Sequence, residues 1–257
     1  MSVDTTLLCL GIAAEATVLA LLLRRGISRL LPLFTVYLGW TIINDLTTLL
    51  LVHRYPAHYL QIYTIEMPLD SLLQFGVLVE LAWSSLRPVR GLLPRGALFG
   101  VAAVILLAGA VIWPFAGITA ISGLSPQWHL LMRLQQTSTI LRIVFFLGLA
   151  ASSQLLAIGW RNRELQVATG LGFYSMVSLG ALMIQAHQAS PLRYHALDEI
   201  VAASYMVSLL YWVASFVRKE APRGEFSPRM QKFLLAVAGA AHADRVAMEQ
   251  ARKSLRN

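Results

Sequence analysis

Residues 7–52 have the sequence LLCLGIAAEATVLALLLRRGISRLLPLFTVYLGWTIINDLTTLLLV. Two apolar runs, residues 7–23 and 30–52, flank a short turn that contains three arginines. Each run is long enough to cross about 30 Å of hydrocarbon as an α-helix. Arginines in so short a turn are typical of the cytoplasmic connection between two membrane spans. The stretch therefore predicts a helical hairpin in a bilayer.

The composition of the whole chain agrees with this interpretation. Of the 257 residues, 57% are hydrophobic and only 13% are charged, and the mean hydropathy is +0.63. A soluble domain carries about 25% charged residues, so a lipid bilayer is the expected partner of this surface. The net charge of +8 comes from basic residues in short turns, where they set topology and contact anionic lipids. We therefore expect no nucleic-acid partner.

Seven apolar stretches in the chain have spanning length. They predict an all-α, polytopic membrane protein, a seven-transmembrane-helix bundle that occupies residues 1–217. The fourth stretch contains no charged residue, and we expect it to face mainly lipid. The predicted spans are Leu7–Leu23, Leu30–Val52, Tyr59–Leu81, Ala97–Phe115, Leu134–Ile158, Val167–Ala186 and Ile200–Val217.

The basic residues concentrate on one side of the predicted spans. That side has Arg24, Arg25, Arg29, Arg87, Arg90, Arg95, Arg161, Arg163, Arg218, Lys219 and Arg223. The other side has Arg54 and Arg193, with Arg133 near it. Short basic loops stay in the cytoplasm. The pattern therefore predicts a multi-pass protein of the cell membrane whose N-terminus lies outside and whose C-terminus is cytoplasmic.

The tail, residues 218–257, differs from the rest of the chain. Ser227 and Pro228 are typical of a helix N-cap and first helical position. Phe233, Val237 and Ala241 follow on one stripe. We expect a short amphipathic cytoplasmic helix, which could recruit a cytoplasmic partner. The tail is too short for a catalytic output domain.

Polar side chains follow one face of several predicted helices. In the third span, Tyr59, Tyr63, Glu66, Asp70 and Gln74 are separated by four, three, four and four residues, which places them on one face. Ionisable groups within a membrane cost about 2.5–3.5 kcal/mol each on insertion scales, so they turn toward partners or water. This face is therefore expected to point into the bundle.

Three other spans show the same spacing, and we expect their polar stripes to share one interior with the third. The additional stripes are Tyr37, Thr41, Asn44, Asp45 and Thr48 in the second span, Gln135, Thr139 and Arg142 in the fifth, and Tyr174, Ser178 and Gln185 in the sixth. From these positions we predict a ligand-binding set of Asp45, Asn44, Tyr63, Glu66, Asp70 and Arg142. Arg142 and Asp70 lie at similar depth, so we expect them to pair.

The position of the acids determines which functions we consider. Asp45 and Glu66 fall in the outer halves of their predicted spans, Asp198 and Glu199 lie at the outer end of the last one, and these four acids outnumber the arginines there. Hydrogen bonds that only hold the helices together would not require this excess of carboxylates over arginines. We therefore expect a receptor-like or sensory module that binds a small ligand in an outward-facing polar pocket. The oligomeric state is left open by the sequence.

Two other functions are alternatives. A proton- or cation-coupled transporter or channel could use the same buried carboxylates. An intramembrane metallohydrolase is a weaker alternative, because the outer histidines show no spacing of two ligands on one helix turn. Those histidines are His53, His58, His129, His187 and His195. No catalytic residue, metal or cofactor is predicted from the motifs present.

Two further expectations concern single residues. A retinal Schiff base requires a lysine in the last helix, whereas Lys219, Lys232 and Lys253 all follow the last predicted span. Covalent retinal binding of that kind is therefore excluded. Glu80 lies near the cytoplasmic interface, seven residues before Arg87, and we expect the two to form a surface ion pair.

Overall fold

The computed structural model describes residues 3–54, 59–87, 96–116, 126–152, 162–186 and 191–218. Within these ranges all regular structure is helical, and each predicted span corresponds to one helix. The predicted tail helix lies outside the described residues. The helices are α1 (Val3–Arg24), α2 (Pro32–Arg54), α3 (Tyr59–Ser85), α4 (Ala97–Ile112), α5 (Pro126–Ser152), α6 (Arg163–Ala186) and α7 (Pro191–Val217), with a short 3-10 turn at Ile27–Arg29.

Two helix starts differ from the predicted spans by more than four residues. α5 begins at Pro126 rather than Leu134, and α7 begins at Pro191 rather than Ile200. Both extra segments are polar, so hydropathy alone placed the starts too late. Proline suits the first turn of a helix because the N–H that it lacks would have no partner within the helix there.

Five of the helices are long and apolar enough to cross a membrane. These are α1, α2, α5, α6 and α7, with apolar segments of 19 to 23 residues. α4 is a shorter apolar helix of 16 residues, and the 27 residues of α3 include three acids. The all-helical bundle thus has the character of a membrane protein.

Six helices form a closed ring, and α4 lies outside it. Going round the ring, α1 packs against α2, α2 against α3, α3 against α5, α5 against α6, α6 against α7, and α7 against α1. α4 packs on α3 and α5 from outside. Its side chains agree with the predicted lipid-facing role, since Phe99 is 78% exposed and Ile105 is its buried contact with the bundle.

One end of the ring is closed by charged side chains that cap neighbouring helices. The Glu80 carboxylate on α3 accepts hydrogen bonds from the backbone N–H groups of Leu33 (2.7 Å) and Phe34 (2.8 Å) in the first turn of α2. The predicted pair of Glu80 with Arg87 is wrong, because among the described residues Glu80 contacts these amides instead. A carboxylate both satisfies N–H groups that have no partner within the helix and complements the positive end of the helix dipole.

Arginines close the last turn of α7 in the same way. The Arg163 guanidinium, at the start of α6, donates to the carbonyls of Ser215 (2.9 Å) and Arg218 (2.7 Å). Arg25, at the end of α1, donates to the carbonyl of Val217 at 2.8 Å. The last carbonyls of a helix carry the negative end of its dipole, where a cation is favourable. These arginines therefore have a structural role in addition to the topological one predicted from the sequence.

An apolar core fills the bundle next to this capped end. Trp212 on α7 is its largest buried side chain. The edge of its ring packs against Phe34, with ring centroids 5.2 Å apart, and its indole N–H donates to the carbonyl of Gln166 at 3.1 Å. Gly170 on α6 provides the space for the indole, since a Cβ at this position would overlap the Trp212 ring.

We expect Gly170→Ala to destabilise the protein, because the added methyl group would displace the Trp212 indole. Overpacking of this kind costs about 1–3 kcal/mol. Gly180→Ala is the matched control on the same helix, since a Cβ there meets nothing within 4 Å and alanine is the better helix former. Thermal unfolding in detergent, followed by tryptophan fluorescence, measures both. Equal melting temperatures for the two variants would contradict the close contact of α6 with α7.

Candidate functional site

A polar cavity of about 280 Å³ lies inside the ring. All six ring helices contribute to its wall, and α4 contributes none of the lining residues. The polar stripes predicted on four helices therefore converge on a shared interior. The lining residues are Glu15, Tyr37, Thr41, Asn44, Asp45, Met67, Asp70, Ser71, Gln74, Gln135, Thr139, Arg142, Tyr174, Ser178 and Tyr205.

Asp70 is held in a short chain of hydrogen bonds between α3 and α5. The Gln74 amide N–H donates to Asp70 Oδ2 at 2.6 Å. The carbonyl oxygen of the same amide accepts from the Ser138 hydroxyl, also at 2.6 Å. Gln74 follows Asp70 by four residues, so both side chains lie on the same face of α3. The chain fixes the position of this carboxylate in the cavity wall.

Arg142 is 4% exposed and lies on α5. Its Nη2 donates to the Thr139 hydroxyl at 3.1 Å, and its guanidinium carbon lies 5.6 Å from the centre of the Tyr174 ring, a distance at which the cation and the ring attract. Its Nε and Nη1 have no hydrogen-bond partner among the described residues. Arg142 and Asp70 thus share the cavity as predicted, but without a direct ion pair in the described structure.

Glu15 is the acid of the cavity that has no exposed surface. Its Oε1 accepts a hydrogen bond from the Tyr205 hydroxyl on α7. Its Oε2 has no partner among the described residues. Tyr205 also contacts Tyr174, with ring centroids 5.2 Å apart. Glu15 is not among the site residues predicted from the sequence, because its partner Tyr205 is 190 residues away.

The six residues predicted from the sequence have different positions in the structure. Asn44, Asp45, Asp70 and Arg142 line the central cavity. Glu66 lies beside it, where the Asn44 amide nitrogen, assigned from the hydrogen-bond network, donates to Glu66 Oε1 at 2.6 Å. The side chain of Tyr63 lies outside the described residues.

Two further cavities connect the centre with one end of the ring. The first, of about 400 Å³, shares Asp45 and Tyr205 with the centre and reaches the exposed Asp198 and Glu199 near the start of α7. The second, of about 180 Å³, shares Gln135, Thr139 and Ser178 with the centre. It also ends at Asp198, which accepts a hydrogen bond from Gln185 at 2.9 Å.

Metal binding has no support in the described part of the chain. There, no group of three histidine, cysteine, aspartate or glutamate side chains could hold an ion. Of the outer histidines, only the His129 side chain is described. The metallohydrolase alternative therefore stays an expectation from the sequence.

Comparison with protein-family models, with curated proteins and with solved structures gave no match. The residues of the cavity are therefore the basis for any functional argument.

We expect Arg142 and Asp70 to be energetically coupled across the cavity. Arg142→Leu leaves Glu15, Asp45 and Asp70 without a nearby positive charge. The expected loss is about 2 kcal/mol, below the roughly 3–5 kcal/mol of a broken direct pair, and adding Asp70→Leu should recover part of it. Unfolding free energies in mixed micelles complete the double-mutant cycle.

Arg142→Leu combined with Asp198→Leu is the control cycle. Asp198 lies at the exposed end of the cavity system, so the two effects should add within about 0.5 kcal/mol. If the cycle with Asp70 is equally additive, Arg142 is balanced by another acid, and Asp45 becomes the candidate.

Proposed function

We propose that this protein is a seven-span, receptor-like or sensory module of the cell membrane that binds a small ligand in an outward-facing polar pocket. The observation that carries the proposal is the central cavity, which is walled by all six ring helices and joined to one end of the bundle. A volume of about 280 Å³ is at the lower end of the range for ligand pockets, about 300–1,000 Å³. The ligand is accordingly small.

The distribution of charge supports an outward opening. The capped end carries Arg25, Arg163 and Arg218, whereas the cavities reach the other end at Asp198 and Glu199. Basic residues are retained on the cytoplasmic side of a membrane. In the proposed orientation, the acidic entrance therefore faces outward.

The apolar core favours a pocket over a path through the bundle. Between the cavity and the capped end lie Leu22, Phe34, Leu81 and Trp212, all at most 1% exposed. An ion that crossed this layer would meet few groups able to replace its hydration. The alternative of a transporter or channel requires this layer to open.

α7 connects the pocket with the start of the tail. Tyr205 lines the cavity, and about two and three turns later Trp212 and Phe216 pack in the core. The last turn of α7 is held by Arg25 and Arg163. A ligand that displaces Tyr205 would therefore act on a rigid helix that leads to the tail, where a cytoplasmic partner could be recruited.

The orientation can be tested with single cysteines in a variant that lacks Cys9. Ala57→Cys should react with a membrane-impermeant thiol reagent on intact cells, whereas Pro88→Cys should react only after permeabilisation. The reason is that residue 57 lies in a predicted outer loop and residue 88 in a predicted basic, cytoplasmic loop. The reverse pattern would contradict the proposed orientation.

Ligand binding and transport predict different results in purified protein. We expect small organic ammonium compounds, with or without a second polar group, to raise the melting temperature, because carboxylates line the cavity and its entrance. Asp45→Asn should reduce the shift, since Asp45 lines both the central and the entrance cavity. Thr17→Ala is the control, because that hydroxyl bonds to the Ala13 carbonyl on the same helix.

Proteoliposomes provide the complementary measurement. We expect no appreciable proton or cation flux, because the apolar core closes the inner half of the bundle. Robust flux that Asp45→Asn or Asp70→Asn abolishes would replace the pocket proposal with the transporter alternative.

A further inference from the structure

Two buried groups of opposite charge in the central cavity have atoms without partners. Arg142 is 4% exposed and Glu15 is fully buried. Among the described residues, Arg142 Nε and Nη1 lack acceptors, and Glu15 Oε2 lacks a hydrogen-bond partner. A guanidinium carries one N–H on Nε and two on Nη1. Buried polar atoms left in this state are costly, so each occurrence requires an explanation.

The two groups belong to different sides of the ring. Glu15 lies on α1, which packs against α2 and α7, and its hydrogen-bond partner is Tyr205 of α7. Arg142 lies on α5, which packs against α3, α4 and α6, and it contacts Thr139 and the ring of Tyr174. The wall of the cavity therefore has an acidic side, with Glu15 and Asp45 on α1 and α2, and an opposite side with Arg142 on α5 and the Asp70 carboxylate on the neighbouring α3.

The surrounding groups keep the two charges apart. Arg142 bonds to a hydroxyl and lies near an aromatic ring, neither of which neutralises a guanidinium, and it makes no direct ion pair with Asp70 in the described structure. Asp70 accepts from Gln74, which is itself held by Ser138. Asp45 lies where the central and entrance cavities meet. An ion pair inside the wall would consume both charges, whereas this arrangement leaves them available to a bound molecule.

We propose that the ligand is a small zwitterion, whose carboxylate binds Arg142 and whose ammonium group binds the acidic side formed by Glu15 and Asp45. This assignment rests on the proposed ligand-binding function and specifies its chemistry. A simple cation would leave the Arg142 N–H groups without an acceptor and would add a second positive charge beside them. A simple anion would enter past Asp198, Glu199 and Asp45 with nothing to offset their charge.

The size of the cavity limits the ligand further. About 280 Å³ accommodates a compact amino acid rather than a peptide. Arginine binds carboxylates through charge-assisted hydrogen bonds, which are roughly twice as strong as neutral ones. Tyr205, whose hydroxyl bonds to Glu15, adds an aromatic ring beside the acidic side that can attract an ammonium group.

A matched series of compounds tests the assignment in the full-length protein in nanodiscs. The zwitterions are 3-aminopropanoate, 4-aminobutanoate and 5-aminopentanoate. Each is compared with the amine of the same chain length, with the carboxylic acid that lacks the amine, and with its own methyl ester, in which the carboxylate is neutral. Calorimetry and the melting temperature measure binding.

We expect at least one zwitterion to bind about tenfold or more tightly than its amine and its ester, a difference of about 1.4 kcal/mol or more. Arg142→Gln should abolish this advantage without weakening the amine, because the variant removes a positive charge that repels the ammonium group. Glu15→Gln should weaken the zwitterion and the amine together. The comparison of each zwitterion with its own methyl ester is made in the unmodified protein. It therefore stays decisive if Arg142→Gln fails to fold.

The failures of the two proposals are distinguishable. If amines and esters bind as tightly as the zwitterions, the role of Arg142 is wrong while the pocket function stands. If carboxylic acids without an amine bind best, the acidic side has no role and the zwitterion assignment is again wrong. If no compound of the series binds, the zwitterion assignment is overturned. The proposed pocket function is then judged by the melting-temperature test with organic ammonium compounds and by the flux measurement in proteoliposomes.

Discussion

The carboxylate of Glu80 holds the first turn of α2 against α3 through two backbone hydrogen bonds, and the position of the ring helices depends on contacts of this type. In an apolar surrounding, water cannot satisfy the N–H and C=O groups at a helix end, so each must find a partner in the protein. Arg25 and Arg163 provide the corresponding partners for α7. Three charged side chains thus fix two helix ends, the start of α2 and the end of α7, to their neighbours at the same side of the bundle.

The central cavity departs from this rule of complete pairing. At the capped end, the described charges of Glu80 and Arg163 have several partners each. In the cavity, Arg142 and Glu15 keep atoms without partners. Functional sites commonly sacrifice local stability in this way. This contrast between Arg142 and Glu15 on the one hand and Glu80 and Arg163 on the other supports the proposed ligand binding in the cavity.

Hydropathy and helical spacing predicted much of this architecture, because both depend on the chain's own periodicity. All seven helices and the convergence of the polar stripes could be derived from them. The contacts of Glu80 and Glu15 could not be derived from hydropathy or helical spacing. The partners of Glu80 are backbone amides, which have no signature in a sequence, so the nearby Arg87 was the misleading choice. The partner of Glu15 lies 190 residues away. The similar depth of Arg142 and Asp70 in their helices likewise predicted that they share a cavity. It could not predict that they do so without a direct ion pair.

The position of α4 outside the ring follows from the direction of its neighbours. α3 and α5 are adjacent and run parallel, as the successive contacts of Gln74 with Ser138 and of Leu78 with Leu141 show. A chain can join two parallel neighbours only by travelling back along the bundle between them. α4 is this crossover, and it lies outside because the other six helices already close the ring. We therefore expect α4 to be constrained mainly by its length and its apolar character, and to tolerate substitutions on its exposed face without a change in the interior of the ring.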